Sequence, residues 1–140
     1  MAELLEMQDA LRSYPYVLLD TCVLIDEFNR PTGVIRRIRR AQRRTSIIAL
    51  WEFLRGTAGA VLGREDSRRR QSWLDDQGIV PLDLSRGFDL TFRALLSLGD
   101  APPHLPDCLL AAQCLARNCP LFTRNVRDFD GIPRLRIVTA

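Results

Sequence analysis

Lysine is absent from this sequence of 140 residues, so all 20 basic side chains are arginine. Without lysine, Schiff-base chemistry and a lysine-dependent phosphate loop are excluded. Histidine occurs once and the four cysteines form no C-x-x-C pair, which argues against a Cys/His zinc site. No uncharged apolar stretch approaches the roughly 20 residues that cross a bilayer, and the acidic N-terminus does not resemble a signal peptide. We therefore expect a cytoplasmic protein with no membrane contact.

The overall composition is that of an ordinary globular protein. The 17 acidic residues nearly balance the arginines and leave a net charge of +3, with 46% hydrophobic and 26% charged residues. Such a composition excludes intrinsic disorder and fibrous architectures. The length suits one compact domain spanning residues 1–140.

Extended and helical segments alternate along the chain, which is typical of an α/β domain with a central, mainly parallel sheet flanked by helices. Buried strands are predicted at Val17–Asp20, Thr45–Leu50, Pro120–Thr123 and LRIVT, with an edge strand at IVPLDL because proline cannot donate a ladder hydrogen bond. The predicted helices are Glu3–Ser13, CVLIDEFN capped by Thr21, the arginine-rich VIRRIRRAQRR, a helix containing WEFLRG, Glu65–Gln77 ending at Gly78, Arg86–Leu98, and Asp107–Asn118 with Pro106 at its first position.

Four acidic residues follow the ends of these strands: Asp20, Glu52, Asp107 and Asp128. Function in a parallel sheet collects beyond the carboxyl ends of the strands, so one edge could bring all four together. Close carboxylates repel one another unless a cation neutralises them. Oxygen ligands without a His or Cys cluster favour Mg²⁺ or Mn²⁺. Such an ion lowers the pKa of a bound water and stabilises charge on a phosphoryl oxygen.

Three of these acids also have a purely structural interpretation. Asp20 with Thr21 could be a simple helix start, and Asp107 could complement a helix dipole. Glu52 could pair with Arg55, three positions further along a helix. The metal site therefore depends on the four residues acting jointly.

Three further residues are candidates for the same site. Asp26 is a possible fifth acid, although it could instead pair with Arg30. Asp130 is the alternative to Asp128 if the last loop is shifted. His104 could be a general base, but a lone histidine in a loop is more often a surface residue.

Long segments resemble the PIN-domain ribonuclease family, and VapC-type toxins of bacterial toxin–antitoxin pairs in particular. LLDTCVLID resembles the first motif of that family and TSIIALWEFLRG the second acidic motif. PDCLLAAQCLARNCPLFTRNVRDFDGI is similar to the third and fourth motifs. The resemblance runs from about Tyr16 to Val138 with the motifs in the family's order. Cys22 stands where many members carry Asn or Ser, and Cys108 where Ala is commoner; we expect both thiols to pack rather than to act.

The resemblance implies a PIN fold and an endoribonuclease that hydrolyses RNA phosphodiester bonds with water activated by Mg²⁺ or Mn²⁺. It also implies an antitoxin protein as partner and a homodimer. The alternative is a catalytically silent PIN-like module that binds RNA or protein, but a silent copy should have lost an acid. The implied site comprises Asp20, Glu52, Asp107 and Asp128 as catalytic and metal-binding residues, Asp20 and Asp107 foremost, with Thr123 and Asn125 positioning the fourth acid or the substrate.

The densest charge in the chain is an arginine run beginning at Arg36. On a helix, Arg36, Arg40, Arg43 and Arg44 share one face while the intervening isoleucines turn inward. We expect this face to bind phosphates and deliver RNA to the acids. A solvated helix face is the alternative.

Overall fold

The computed structural model describes residues 1–56, 61–97 and 104–139. In these ranges one sheet has six strands, in the order β1-β6-β5-β2-β3-β4, and every neighbouring pair is parallel. The sequence prediction of an α/β fold with a mainly parallel sheet is therefore confirmed. The strands are β1 (Glu3–Glu6), β2 (Val17–Leu19), β3 (Arg43–Ser46), β4 (Val80–Leu82), β5 (Leu121–Phe122) and β6 (Arg136–Thr139).

Helices cover both faces of the sheet. Along the described ranges they are α1 (Met7–Ser13), α2 (Thr21–Asn29), α3 (Ile47–Arg55), α4 (Arg64–Gln77), α5 (Phe88–Ser97) and α6 (Leu105–Arg117), and 3₁₀ turns occur at Ile35–Arg37, Arg40–Gln42 and Val126–Asp128. No helix in these parts of the chain is long and apolar enough to cross a membrane.

The central strand β2 shows why the core has two layers. Val17 and Leu19 point into one apolar cluster, which contains Phe53, while Leu18 points into another, which contains Leu121. All three β2 residues are fully buried. Successive side chains of a strand alternate between faces, so a strand covered on both sides reads as a continuous apolar run.

One helix prediction and one strand prediction need correction at their ends. The segment predicted as one helix over Glu3–Ser13 begins as β1, whose backbone pairs with β6, and becomes helical only at Met7. Pairing with a neighbouring strand outweighs the local helical pattern here. The strand predicted at Thr45–Leu50 ends at Ser46, whose hydroxyl accepts the N–H of Ile48 at 2.9 Å and caps α3.

The arginine-rich segment is not a helix, which is the largest correction. It forms two 3₁₀ turns and then enters the sheet as β3, where Arg43 and Arg44 pair with β2. Ile35 and Ile38 are buried and hold the turns against the core. The side-chain amide of Gln42 also ties the segment to α1, since it donates to two backbone carbonyls at the end of that helix.

Several predicted boundaries are confirmed. Helix α4 ends at Gly78, whose φ of 66° is left-handed, and a Cβ there would lie only 2.6 Å from Nε of Arg40. Strand β4 is at the edge of the sheet, as its proline requires. Pro106 is in the first turn of α6, at its second position rather than its first. The helix predicted at Arg86–Leu98 is α5, and Leu98 lies outside the described residues.

Candidate active site

The four predicted acids lie where β2, β3 and β5 reach the carboxyl edge of the sheet. Asp20 follows β2 directly and is the N-cap of α2, a role that the sequence analysis gave to Thr21. Glu52 is on α3, which continues from β3. Asp107 is in the first turn of α6, and Asp128 ends the 3₁₀ turn after β5.

Asp20 is the fixed member of this set. Its Oδ1 accepts the backbone N–H of Thr21 at 2.7 Å, and its Oδ2 accepts the hydroxyl of Thr123 at 2.7 Å. The thiol of Cys22 also donates to Oδ2, at 3.5 Å. Burial raises the pKa of Asp20, these donors partly offset the rise, and the charge of Asp128 adds to it. The carboxylate is thus buried, oriented and within the field of a second acid.

Glu52 is joined to Asp20 through one residue. The hydroxyl of Thr21 donates to Oε1 of Glu52 at 3.0 Å, while the backbone N–H of Thr21 binds Asp20. Burial raises the pKa of Glu52; the Thr21 hydrogen bond opposes this rise and the charge of Asp20 reinforces it. The start of α2 therefore places a strand-end carboxylate beside one from α3.

The negative charges of the other three acids act on Asp107. Burial and the charges of Asp20, Asp128 and Glu52 raise its pKa to about 6, against the opposing effect of His104. The quartet is therefore electrostatically coupled. None of the ion pairs among the described residues involves any of its four members.

The carboxylates do not yet form a coordination shell. Within the described ranges no three His, Cys, Asp or Glu side chains stand close enough to hold a metal ion together. The chemistry of the donors nevertheless fits a hard divalent cation, because the acids are all oxygen donors and lack an arginine partner. Binding an ion requires the carboxylates to approach one another, and neutralising their repulsion favours that approach.

Of the two predicted polar residues, Thr123 contacts an acid of the site directly and Asn125 contacts it indirectly. Thr123, which follows β5, bonds directly to Asp20. Asn125 contacts the set through its backbone, since its N–H donates to the hydroxyl oxygen of Thr123 at 3.1 Å. Asn125 itself is exposed. This chain of hydrogen bonds links the β5 loop to the end of β2.

Two residues of the site were missed by sequence reasoning. Thr21 was expected only to cap a helix, and Cys22 only to pack. Instead Thr21 bridges two acids, and the Cys22 sulfur touches Asp20 and lies 3.6 Å from the Thr123 hydroxyl. Their positions, one and two residues after Asp20, were the available signal, because a helix N-terminus aims its first side chains at the cap.

Other candidates lie beside the quartet rather than in it. Asp26 is exposed and pairs with Arg124 at 2.9 Å rather than with Arg30, the partner that its spacing offered as an alternative. Asp130 is exposed, two positions beyond Asp128. His104 is exposed and acts on the pKa of Asp107 from the start of α6.

The four predicted RNA-binding arginines do not line the acid site. Arg43 and Arg44 begin β3 and so lie at the amino edge of the sheet, opposite the acids. Arg40 donates to the carbonyls of Asp75 and Asp76 at the end of α4. The prediction that Arg36, Arg40, Arg43 and Arg44 share one helix face is wrong, because the segment is not helical and several of its guanidinium groups hold other elements. RNA binding by these arginines stays a prediction.

Arg43 is therefore expected to matter for stability. Its Nε donates to the Ile38 carbonyl at 2.9 Å and its Nη1 to the Gln77 carbonyl at 2.7 Å. Arg43→Ala should lower the free energy of unfolding by about 2 kcal/mol, since both bonds involve a charged donor. The control Arg37→Ala, at an exposed position, should stay within about 0.5 kcal/mol of the parent. Urea unfolding measures both, and equal losses would contradict the structural role of Arg43.

Comparison with known proteins agrees with this geometry. A model of the PIN domain family matches residues 17–135. The chain therefore belongs to the PIN domain family, a family of nucleases. No curated protein matches the sequence.

Solved structures with the same fold include toxin–antitoxin complexes. A toxin–antitoxin complex from Klebsiella pneumoniae is 26% identical, with a TM-score of 0.65 over 88% of this chain and 96% of that chain. VapBC-1 from nontypeable Haemophilus influenzae is 24% identical, with a TM-score of 0.69 over 87% and 96%. VapBC2 from Rickettsia felis, bound to a promoter DNA fragment, is 19% identical, with a TM-score of 0.73 over 89% and 99%.

Proposed function

We propose that this chain is a metal-dependent endoribonuclease and the toxin of a VapBC-type toxin–antitoxin pair. One observation carries the proposal: four carboxylates from separate elements act on one another at one edge of a PIN fold, without a cationic side chain to neutralise them among the described residues. A cluster of like-charged carboxylates lowers the stability of the folded protein unless a cation binds to it.

The residues proposed to hold Mg²⁺ or Mn²⁺ are Asp20, Glu52, Asp107 and Asp128. When bound, the cation would lower the pKa of a water molecule and place positive charge beside the phosphoryl group that the water attacks. Hydrolysis of RNA by that water would break one P–O ester bond of the backbone, so that one fragment keeps the phosphate and the other ends in a hydroxyl group.

The chain itself contributes orientation. Thr123 and the Thr21 N–H fix the Asp20 carboxylate before any ligand arrives, so the other acids are the ones that must move toward a bound ion. The Thr21 hydroxyl holds Oε1 of Glu52 and leaves Oε2 available. Asn125, whose backbone fixes Thr123, is exposed beside the site and is proposed to contact the substrate.

The proposed partner is an antitoxin protein. Its support is the likeness to solved toxin–antitoxin complexes together with exposed apolar surface on α3, beside Glu52. There Trp51 is 57% exposed and Ile47 38% exposed. A homodimer and a cytoplasmic location complete the proposal.

The second candidate function is a catalytically silent module that binds RNA or protein. It is favoured by the absence of three metal-ligating side chains close enough to share an ion in the described part of the chain. The two candidates differ in whether RNA is cut.

An RNA cleavage assay with matched neighbours tests the proposal. The purified chain should cut RNA with Mg²⁺ or Mn²⁺ and lose the activity in EDTA. Asp128→Asn should lower the rate about 100-fold or more, because it removes a charge from the metal site, whereas Asp130→Asn, two positions away and exposed, should leave it unchanged. Cleavage that persists in EDTA would overturn the metal mechanism. RNA binding without cleavage would favour the silent module.

A further inference from the structure

Three exposed arginine side chains lie at the amino edge of the sheet, in the loop that leads into β3. Arg36, Arg37 and Arg39 are exposed, and their side chains make no hydrogen bond or ion pair with any residue that the structure describes. Between and beside them, Ile35 and Ile38 are 3% and 0% exposed and anchor the backbone. We refer to Arg36, Arg37 and Arg39 as the amino-edge arginine cluster.

The loop that carries this cluster is held on two sides. Gln42 donates to the carbonyl of Leu11 at 2.9 Å and to that of Tyr14 at 3.2 Å, at the end of α1. Arg40 donates to carbonyls at the end of α4, at 2.7 and 3.1 Å. Helix C-termini carry partial negative charge. Arg40 and Arg43 donate to the carbonyls at the end of α4, and the cluster takes no part in these hydrogen bonds.

We propose that the amino-edge arginine cluster binds the phosphate backbone of a folded RNA, at a surface separate from the acids. This inference rests on the proposed function, because it takes RNA to be the substrate. Arginine contacts phosphate through two parallel hydrogen bonds and is weakly hydrated, which suits backbone docking. Arg12, exposed in the last turn of α1 and next in sequence to Leu11, whose carbonyl accepts the Gln42 amide, adds positive charge to the same edge of the sheet.

The surroundings of the cluster favour a nucleic acid over an acidic protein. Its apolar neighbours Val34, Ile35 and Ile38 are all buried, so the loop offers charge without exposed apolar area. Protein interfaces usually have an apolar core, whereas phosphate contacts need none. The net charge of the whole chain is only +3, so attraction for a polyanion must come from local clusters such as this one.

The position of the amino-edge arginine cluster determines which RNA can bind to it and to the acid site at the same time. Strand β3 alone, with four residues, separates the amino edge from the carboxyl edge by about 13 Å. Only an RNA that runs along the side of the domain reaches both the cluster and the acids. The cluster therefore favours long, folded RNA over short oligonucleotides.

The test compares binding and cleavage in one set of variants. The triple variant Arg36→Gln, Arg37→Gln and Arg39→Gln removes the cluster. A control with the same change of charge, Arg64→Gln, Arg68→Gln and Arg86→Gln, removes exposed arginines from α4 and the turn before α5. Fluorescence anisotropy in EDTA measures binding to a labelled stem-loop RNA of tRNA size across a salt series, and cleavage of a hexanucleotide is measured with Mn²⁺.

The cluster variant should bind the stem-loop about tenfold more weakly, and its salt slope should fall by about 2, as expected for three lost phosphate contacts. Hexanucleotide cleavage and the control variant should match the parent. Unchanged stem-loop binding, or an equal loss in the control, would overturn the inference. Binding of poly-glutamate as tight as the binding of RNA would also overturn it, because the surface would then be assigned to an acidic protein. Because binding is measured without metal, a protein that binds through the cluster but never cleaves would refute only the proposed function. Single Gln variants provide the same readout if the triple variant unfolds.

Discussion

Asp20→Asn is expected to lower RNA cleavage about 10³-fold, the largest loss of any single substitution in the site. Asp20 is buried and receives three hydrogen bonds, so its charge is placed more firmly than that of any other member. Asparagine keeps an oxygen for the N–H of Thr21 and is itself a good helix cap. The substitution therefore removes charge with little change in shape.

Two comparisons make the Asp20 result interpretable. Asp9→Asn, an exposed position on α1, should cleave RNA at the parental rate. Circular dichroism should show the same folded signal for both variants. Cleavage by a folded Asp20→Asn variant at more than about a tenth of the parental rate would reject Asp20 as a ligand of the catalytic ion.

Asp107→Asn is expected to have opposite effects on activity and on stability. It removes a proposed metal ligand, so the cleavage rate should fall about 100-fold. It also removes the carboxylate whose pKa is raised to about 6 by burial and by the three neighbouring acids. In metal-free buffer at pH 7.5 the variant should be more stable by about 1 kcal/mol, a value reduced for the solvent screening of a half-buried group. The corresponding rise in Tm is about 3 °C.

The pH dependence of this effect follows from the direction of the pKa change. Because the pKa of Asp107 is higher in the folded than in the unfolded protein, the folded state holds a proton that the unfolded state releases between about pH 4 and pH 6. The contribution of Asp107 to the free energy of unfolding therefore decreases as the pH rises through this window. The advantage of Asp107→Asn should be present at pH 7.5 and nearly absent at pH 4.

Thermal unfolding in EDTA at the two pH values measures this difference, and Mn²⁺ provides an independent check. Manganese should stabilise the parent protein more than the Asp107→Asn variant, since an ion that binds only the folded state adds to stability. A variant less stable than its parent at pH 7.5 would show that Asp107 is structural.

The position of the acids at the carboxyl edge of the sheet could be predicted, because short stretches of sequence determine where each strand ends. The run VLLD identifies a strand buried on both faces that ends in an acid, and β2 with Asp20 has this form. Parallel order then places the residues after β2, β3 and β5 at one edge. The contacts of Thr21 and Cys22 were not predictable in the same way, because they depend on how α3 and the β5 loop dock.

The arginine run shows where local pattern fails. Arg43 and Arg44 continue a helical charge pattern, but they belong to β3 because β2 and β4 need a strand between them. The same applies to β1, whose partner β6 is at the other end of the chain. In both segments a pairing distant in sequence outweighs the propensity of a few residues.

The bond between Thr123 and Asp20 joins residues 103 positions apart. A protein emerges from the ribosome N-terminus first, so β2 and its acid are exposed long before β5 arrives beside them. Asp107, Thr123 and Asp128 all come from the last third of the chain. A nascent chain that ends before Asp128 therefore contains no assembled catalytic centre, and a protein with the proposed activity cannot attack RNA until Asp107, Thr123 and Asp128 have been synthesised.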